Sequence, residues 1–133
     1  MGFFKTIFGE KEVDSSKEKN TSYVNWLPLT SINQLEEIKA LSKTESICIF
    51  KHSTRCGISR IVIKQFEELF SEEHQHLKVY YLDLLNYRSV SNEVGNSFQV
   101  IHQSPQLLVI KNGVSSYHAS HNDVALVNLS RFI

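Results

Sequence analysis

The sequence predicts an α/β fold built on a mixed central sheet with helices on both faces, and three observations carry that reading. Segments of strand character alternate with segments of helical periodicity from Tyr23 onward, the order that builds parallel strand pairs through helical crossovers. The segment SICIFK, residues 46–51, is a continuous apolar run rich in β-branched residues, as a strand covered on both faces requires. Asn112-Gly113 separates two strand-like runs, a hairpin signal that adds an antiparallel edge to the sheet.

The elements follow in order. Residues 1–22 read as a flexible leader: Phe3, Phe4, Ile7 and Phe8 stand at helical spacing, and the polar run KEVDSSKEKNTS follows them. Gly2 with Thr6 satisfies the loose myristoylation pattern, but a stable anchor needs a second signal, so no stable membrane association is expected. Residues 23–133 read as one domain. YVNWLPL is a short strand ended by Pro28. Thr30 or Ser31 caps a helix whose apolar face is Ile32, Leu35, Ile38 and Leu41, with Ser31 and Gln34 at capping-box spacing. After the strand SICIFK comes a loop holding Cys56, then a helix with Ile58, Val62, Phe66, Leu69 and Phe70 on one face. KVYYLDL is the next strand, and residues 89–98 a helix weakened by Gly95. Leu107 to Ile110 and Val114 to His118 form the hairpin. Asn122 or Asp123 caps a closing helix over Val124, Val127, Leu129 and Phe132.

The totals narrow the function. A chain of 133 residues is long enough to bury a core without disulfide or metal staples. Fourteen basic side chains balance fourteen acidic ones, so the overall field offers nucleic acid no attraction. Two cysteines, no apolar run of membrane-span length and no cleavable leader point to a reducing, cytoplasmic compartment.

The chemistry centres on Cys56. It stands at the start of a helix, where unpaired backbone N–H groups and the helix dipole favour an anionic sulfur. Arg55 adds a cation, and the hydroxyls of Thr54 and Ser59 offer hydrogen bonds to the thiolate. Such a sulfur gains little in attack, because nucleophilicity falls with basicity, but it leaves readily when another thiol opens its mixed disulfide. Ser59 occupies the place of the second thiol in a Cys-x-x-Cys site, so it cannot resolve that disulfide. Cys48, mid-strand, reads as a buried small hydrophobe. Resolution is therefore expected from an outside thiol.

Ser104-Pro105 precedes the strand QLLVI, where a proline commonly marks only a strand edge. Taken together, FKHSTRCGIS, HQSPQ and YHASH resemble the YtxJ family of monothiol bacilliredoxins, from about Trp26 to the C-terminus. The resemblance implies a thioredoxin-like fold and a cytoplasmic protein that works with bacillithiol, a small thiol some bacteria use in place of glutathione. It implies that Cys56 is the active thiol, that bacillithiol is co-substrate with no bound cofactor, and that bacillithiolated proteins are the clients; a monomer is expected. In that architecture a cis proline, here Pro105, faces the nucleophile, and Ser104 before it offers backbone groups to the incoming compound. The chain departs from the family at Gly57, where proline is usual, which leaves the first helical turn less preorganised.

Other readings compete. A monothiol glutaredoxin-like protein can hold an iron–sulfur cluster on one cysteine per protomer, which needs a dimer and external thiols. A peroxidase lacks the expected proline and threonine spacing, and an interaction module would carry an inert cysteine. The pairs His74 with His76 and His118 with His121 lack the partners of a metal site and read as surface histidines. His102, just before the Ser104-Pro105 loop, is a candidate to contact the approaching thiol, with structural hydrogen bonding as the alternative.

Overall fold

The structure, a computed structural model, describes residues 22–133. Residues 1–21 of the leader, Phe3, Phe4, Ile7 and Phe8 among them, lie outside the described residues. The chain runs through β1 (Asn25–Pro28), α1 (Asn33–Leu41), β2 (Ile47–His52), α2 (Gly57–Glu68), β3 (Lys78–Asp83), α3 (Arg88–Phe98), β4 (Gln106–Lys111) and β5 (Val114–Ser120). Short 3₁₀ segments occupy Glu72–His74, His121–Leu126 and Leu129–Phe132.

Strand order in the sheet is β1-β3-β2-β4-β5. β3 pairs in parallel with both β1 and β2, and the antiparallel pairs are β2 with β4 and β4 with β5. This mixed sheet is the predicted one. Its central strand β2 is buried at every residue. Alternation sends Ile47 and Ile49 to one face, against Leu35 and Ile38 of α1 and Val90, Val94 and Phe98 of α3. Cys48 and Phe50 go to the other face, against Val62 and Phe66 of α2. Helices thus cover both sides.

Local chemistry explains the joints. Before α1, the Gln34 carbonyl oxygen accepts from the N–H groups of Thr30 and Ser31 at 2.8 and 3.0 Å, and its amide donates to the Pro28 carbonyl at 2.8 Å. Gln34 therefore supplies its half of the predicted capping box, while no side chain caps α1 from the N-cap position. Gly95 sits where α3 turns back on itself: a Cβ there would lie 3.1 Å from the Val100 carbonyl oxygen. The residue read as a weakness is what permits the close reversal after Gln99. At the hairpin, Asn112 and Gly113 both have positive φ, 55° and 79°, as a type I′ turn demands. Their N–H groups donate to the carbonyl and hydroxyl oxygens of buried Ser42, each at 2.8 Å.

Three expectations are corrected. Ile58 is 56% exposed and Ser59 is buried in its place, because a face anchored by Val62 and Phe66 passes through position 59 rather than 58. Ile32 is 46% exposed, standing ahead of α1 rather than on its inner face. The closing helix is instead two 3₁₀ segments, with Val127 extended at φ −66° and ψ 142° between them. Val124, Val127 and Leu129 are all buried, and their spacing of three and then two residues cannot face one way on a continuous α-helix.

Phe66 anchors α2 on the sheet, with ring centroids 5.1 Å from both Phe50 and Phe70. Phe66→Ala is expected to lower unfolding free energy by about 3–5 kcal/mol, measured by urea titration.

Candidate active site

The end of β2 delivers the reactive loop. Cys56 is half-buried and is the N-cap of α2, with extended backbone at φ −97° and ψ 121°. Its carbonyl accepts from the Arg60 N–H at 3.1 Å, and its own N–H donates to the Ser53 carbonyl at 3.2 Å. The sulfur thus stands where the helix N–H groups are still unpaired. Thr54 and Arg55 are exposed beside it; Thr54 is held through its carbonyl, which accepts from the Arg60 guanidinium at 3.3 Å.

Ser59 is fully buried. Its hydroxyl oxygen accepts from the Ser53 N–H at 3.1 Å and lies 2.8 Å from His52 Nδ1. That hydroxyl is committed to holding the loop onto α2. Burial pushes His52 below its ordinary pKa; Arg60 acts in the same direction, Asp83 and Glu67 against it. The other cysteine is sealed away: burial pushes the Cys48 thiol up to about 12, and both cysteines are free.

The sheet register brings the second predicted element alongside. Lys51 pairs with Gln106, so Pro105 stands at the same end of the sheet as the Cys56 loop. The Ser104-Pro105 peptide is cis, and the Pro105 carbonyl accepts from the His121 N–H at 2.8 Å. The Ser104 hydroxyl is buried without a hydrogen-bond partner.

Lys51 was not singled out in the sequence. It is fully buried on the α1 and α3 side, where its ammonium donates to the Ser91 carbonyl at 3.2 Å and lies 3.3 Å from His102 Nδ1. Burial pushes Lys51 down to about 8. His102, whose ring lies toward the surface, is also held below its ordinary value, by burial and then by the positive charges of Lys51 and Arg88. The signal for Lys51 was its parity with Ile47 and Ile49 on a strand covered on both faces; for His52 it was parity with Cys48 and Phe50.

Cys56, Ser59, Thr54 and Arg55 therefore share one turn, with Ser104, Pro105 and His102 on the neighbouring strand entrance. Among the histidines weighed for a metal, His74 is buried rather than on the surface; its Nδ1 accepts from the Ser71 N–H at 3.1 Å and its Nε2 lies 3.2 Å from the Ser130 hydroxyl. Among the described residues, no group of three His, Cys, Asp or Glu side chains is placed to hold a metal ion, and no helix is long and apolar enough to cross a membrane.

The profile of the family described as monothiol bacilliredoxin BrxC matches residues 27–129. The chain belongs to that family. Among solved structures, this bacilliredoxin is similar to one described as having a thioredoxin fold, at 28% identity over 80% of this chain and 88% of that one, with a TM-score of 0.66. It is also similar to thioredoxins of Malassezia sympodialis (17% identity, 84% and 92% covered, TM-score 0.66) and Schistosoma mansoni (20% identity, 85% and 100% covered, TM-score 0.64). These two likenesses establish the thioredoxin-like fold. The bacilliredoxin family and that fold together support a thiol–disulfide redox function.

Gly57 is the first residue of α2, and a Cβ there would meet only the Arg60 guanidinium, at 3.9 Å. Cys56 before it already has the extended backbone that a following proline requires. Gly57→Pro is expected to raise stability by about 0.4–1 kcal/mol through the unfolded chain, read from thermal unfolding. Lys51 carries a pH signature. Its folded value is depressed from 10.5 to about 8, so the folded bacilliredoxin binds fewer protons than the unfolded chain between those values, and stability rises with pH across that window. The wild type should gain in urea midpoint relative to Lys51→Met as pH rises through that window.

Proposed function

We propose that this chain is a monothiol disulfide oxidoreductase that removes bacillithiol from protein mixed disulfides through Cys56. One observation carries the reading: Cys56 is the half-buried cap of α2, while the position three residues on holds a buried serine and Cys48 is sealed in the core. An adduct formed on Cys56 has no internal thiol to resolve it.

The exchange proceeds in two balanced steps. The Cys56 thiolate attacks the bacillithiol sulfur of the client mixed disulfide; the S–S bond breaks, the client thiolate leaves and takes a proton from solvent, and Cys56 keeps bacillithiol in a new disulfide. A second bacillithiol thiolate then attacks the bacillithiol sulfur of that adduct. Cys56 leaves as thiolate, and the two bacillithiols depart as their disulfide, for a separate flavin-dependent reductase to recycle. The client sulfur returns to a thiol, and the one incoming bacillithiol is oxidised as it joins the transferred bacillithiol in their disulfide. Arg55 and the first N–H groups of α2 favour the anionic sulfur in both steps. Thr54 and Ser59 shape the turn that holds it, the backbone of Ser104 ahead of cis Pro105 pairs with the incoming compound, and His102 contacts it. No bound cofactor enters, and the setting is a reducing cytoplasm in which the enzyme acts as a monomer.

Intact-mass spectrometry after mixing with a bacillithiolated client tests this. The expected result is one bacillithiol on the wild type and none on Cys56→Ser. In Ser59→Cys the adduct should disappear into an internal disulfide. Equal loss of bacillithiol from the client in the presence of Cys56→Ser would sink the proposal.

A further inference from the structure

We propose that buried Lys51 fixes His102 as a neutral Nε2–H donor and that this donor, at the mouth of the cavity beside α3, recognises a carboxylate of the small thiol compound. Lys51 is then a positioning residue and His102 a specificity-determining one. The inference rests on the exchange reaction proposed above and adds which group of the co-substrate is read, and by what.

The argument begins with donor inventory. A lysine ammonium has donors and no acceptor, so His102 Nδ1, 3.3 Å from Lys51 Nζ, must accept, and the single ring proton lies on Nε2. The ammonium's other partner, the Ser91 carbonyl at 3.2 Å, is also neutral. Among the described residues, neither Lys51 nor Arg88 forms a salt bridge. The cation is fully buried, where its charge is weakly screened, and the ring it contacts belongs to an exposed residue. Arg88, at the start of α3, adds a second charge: burial first, and then both cations, hold His102 below its ordinary pKa.

A cavity of about 660 Å³ opens at this ring. Ser91 and His102, the two groups that contact the ammonium, are part of its wall, and Asn92 and Asn96 add amides to it. The Ser91 hydroxyl, and the amide oxygen of Gln106 opposite Lys51 in the sheet, are buried without hydrogen-bond partners. The wall thus mixes polar groups with Gly95, Val100 and Ile101, the charges of Lys51 and Arg88 reach its His102, and His102 stands three residues before Pro105 at the Cys56 end of the sheet. A neutral imidazole donor backed by a buried cation suits an anionic oxygen acceptor, and the carboxylates of bacillithiol are the anionic groups that the proposed co-substrate brings.

Nuclear magnetic resonance on the full ¹⁵N-labelled chain carrying Cys56→Ser, which cannot exchange disulfides, tests the proposal with S-methyl bacillithiol as probe and S-methyl cysteamine as the carboxylate-free control. The free chain should show His102 protonated on Nε2 alone, and S-methyl bacillithiol should shift that signal. Lys51→Met should mix the two tautomers and weaken binding about tenfold, the scale of one charge-assisted hydrogen bond. Lys51→Arg should retain the tautomer, and His102→Ala, a change near the surface, should lose binding to the same extent if Lys51→Met fails to fold. A proton on Nδ1 in the free chain, equal affinity across these variants, or equal binding of S-methyl cysteamine would overturn it. Binding here without transfer to Cys56 in the wild type would refute the exchange reaction alone; transfer without any His102 shift would refute this subsite alone.

Discussion

Strand β2 is buried from its first residue to its last, yet its final two residues are a lysine and a histidine. That combination constrains everything at the reactive end. The pleat sends Lys51 and His52 to opposite faces, and each must find partners there, because a buried polar group left unpaired costs about 1–3 kcal/mol. Lys51 finds the Ser91 carbonyl on α3 and the ring of His102. His52 finds the hydroxyl of Ser59 on α2. One strand end therefore ties down a helix on each side of the sheet, the turn that presents Cys56, and the approach to the cis proline.

The two cysteines show how far environment decides chemistry. Cys48 lies mid-strand in an apolar cluster with Phe50, Val62 and Phe66, where desolvation disfavours the anion that every thiol reaction needs. Cys56, eight residues on, sits half-buried at a helix start among unpaired N–H donors. Ser59, three residues after Cys56, has a place on the buried face of α2 that would suit a resolving thiol, but its hydroxyl instead bonds His52 and Ser53. The serine stands where a second thiol could close an internal disulfide and braces the loop instead.

How much of this was legible depends on the range of the interaction. The strands and helices from Asn25 to Ser120 follow local patterns: the unbroken apolar run of β2, the Asn-Gly turn, the 3.6-residue spacing of Leu35, Ile38, Val62 and Phe66. Sequence and structure differ where a neighbour elsewhere in the chain sets the outcome. Ile58 is apolar and so predicts an inward position, whereas the phase of α2 against the sheet turns Ser59 inward. The last segment breaks at Val127 because burying Val124, Val127 and Leu129 on one surface outweighs helical continuity.

By itself the sequence determined the order of elements, the two-sided burial of β2, the cysteine at the start of α2 and the serine three residues after it, because each follows from residue type and near-neighbour spacing. Tertiary structure alone decided that Lys51 sits under His102, 51 residues away, that His52 bonds Ser59, and that Pro105 is brought to the end of β2 through the pairing of Lys51 with Gln106. Those contacts join groups far apart in the chain, and only the packing of the helices on the sheet and the strand register can select them.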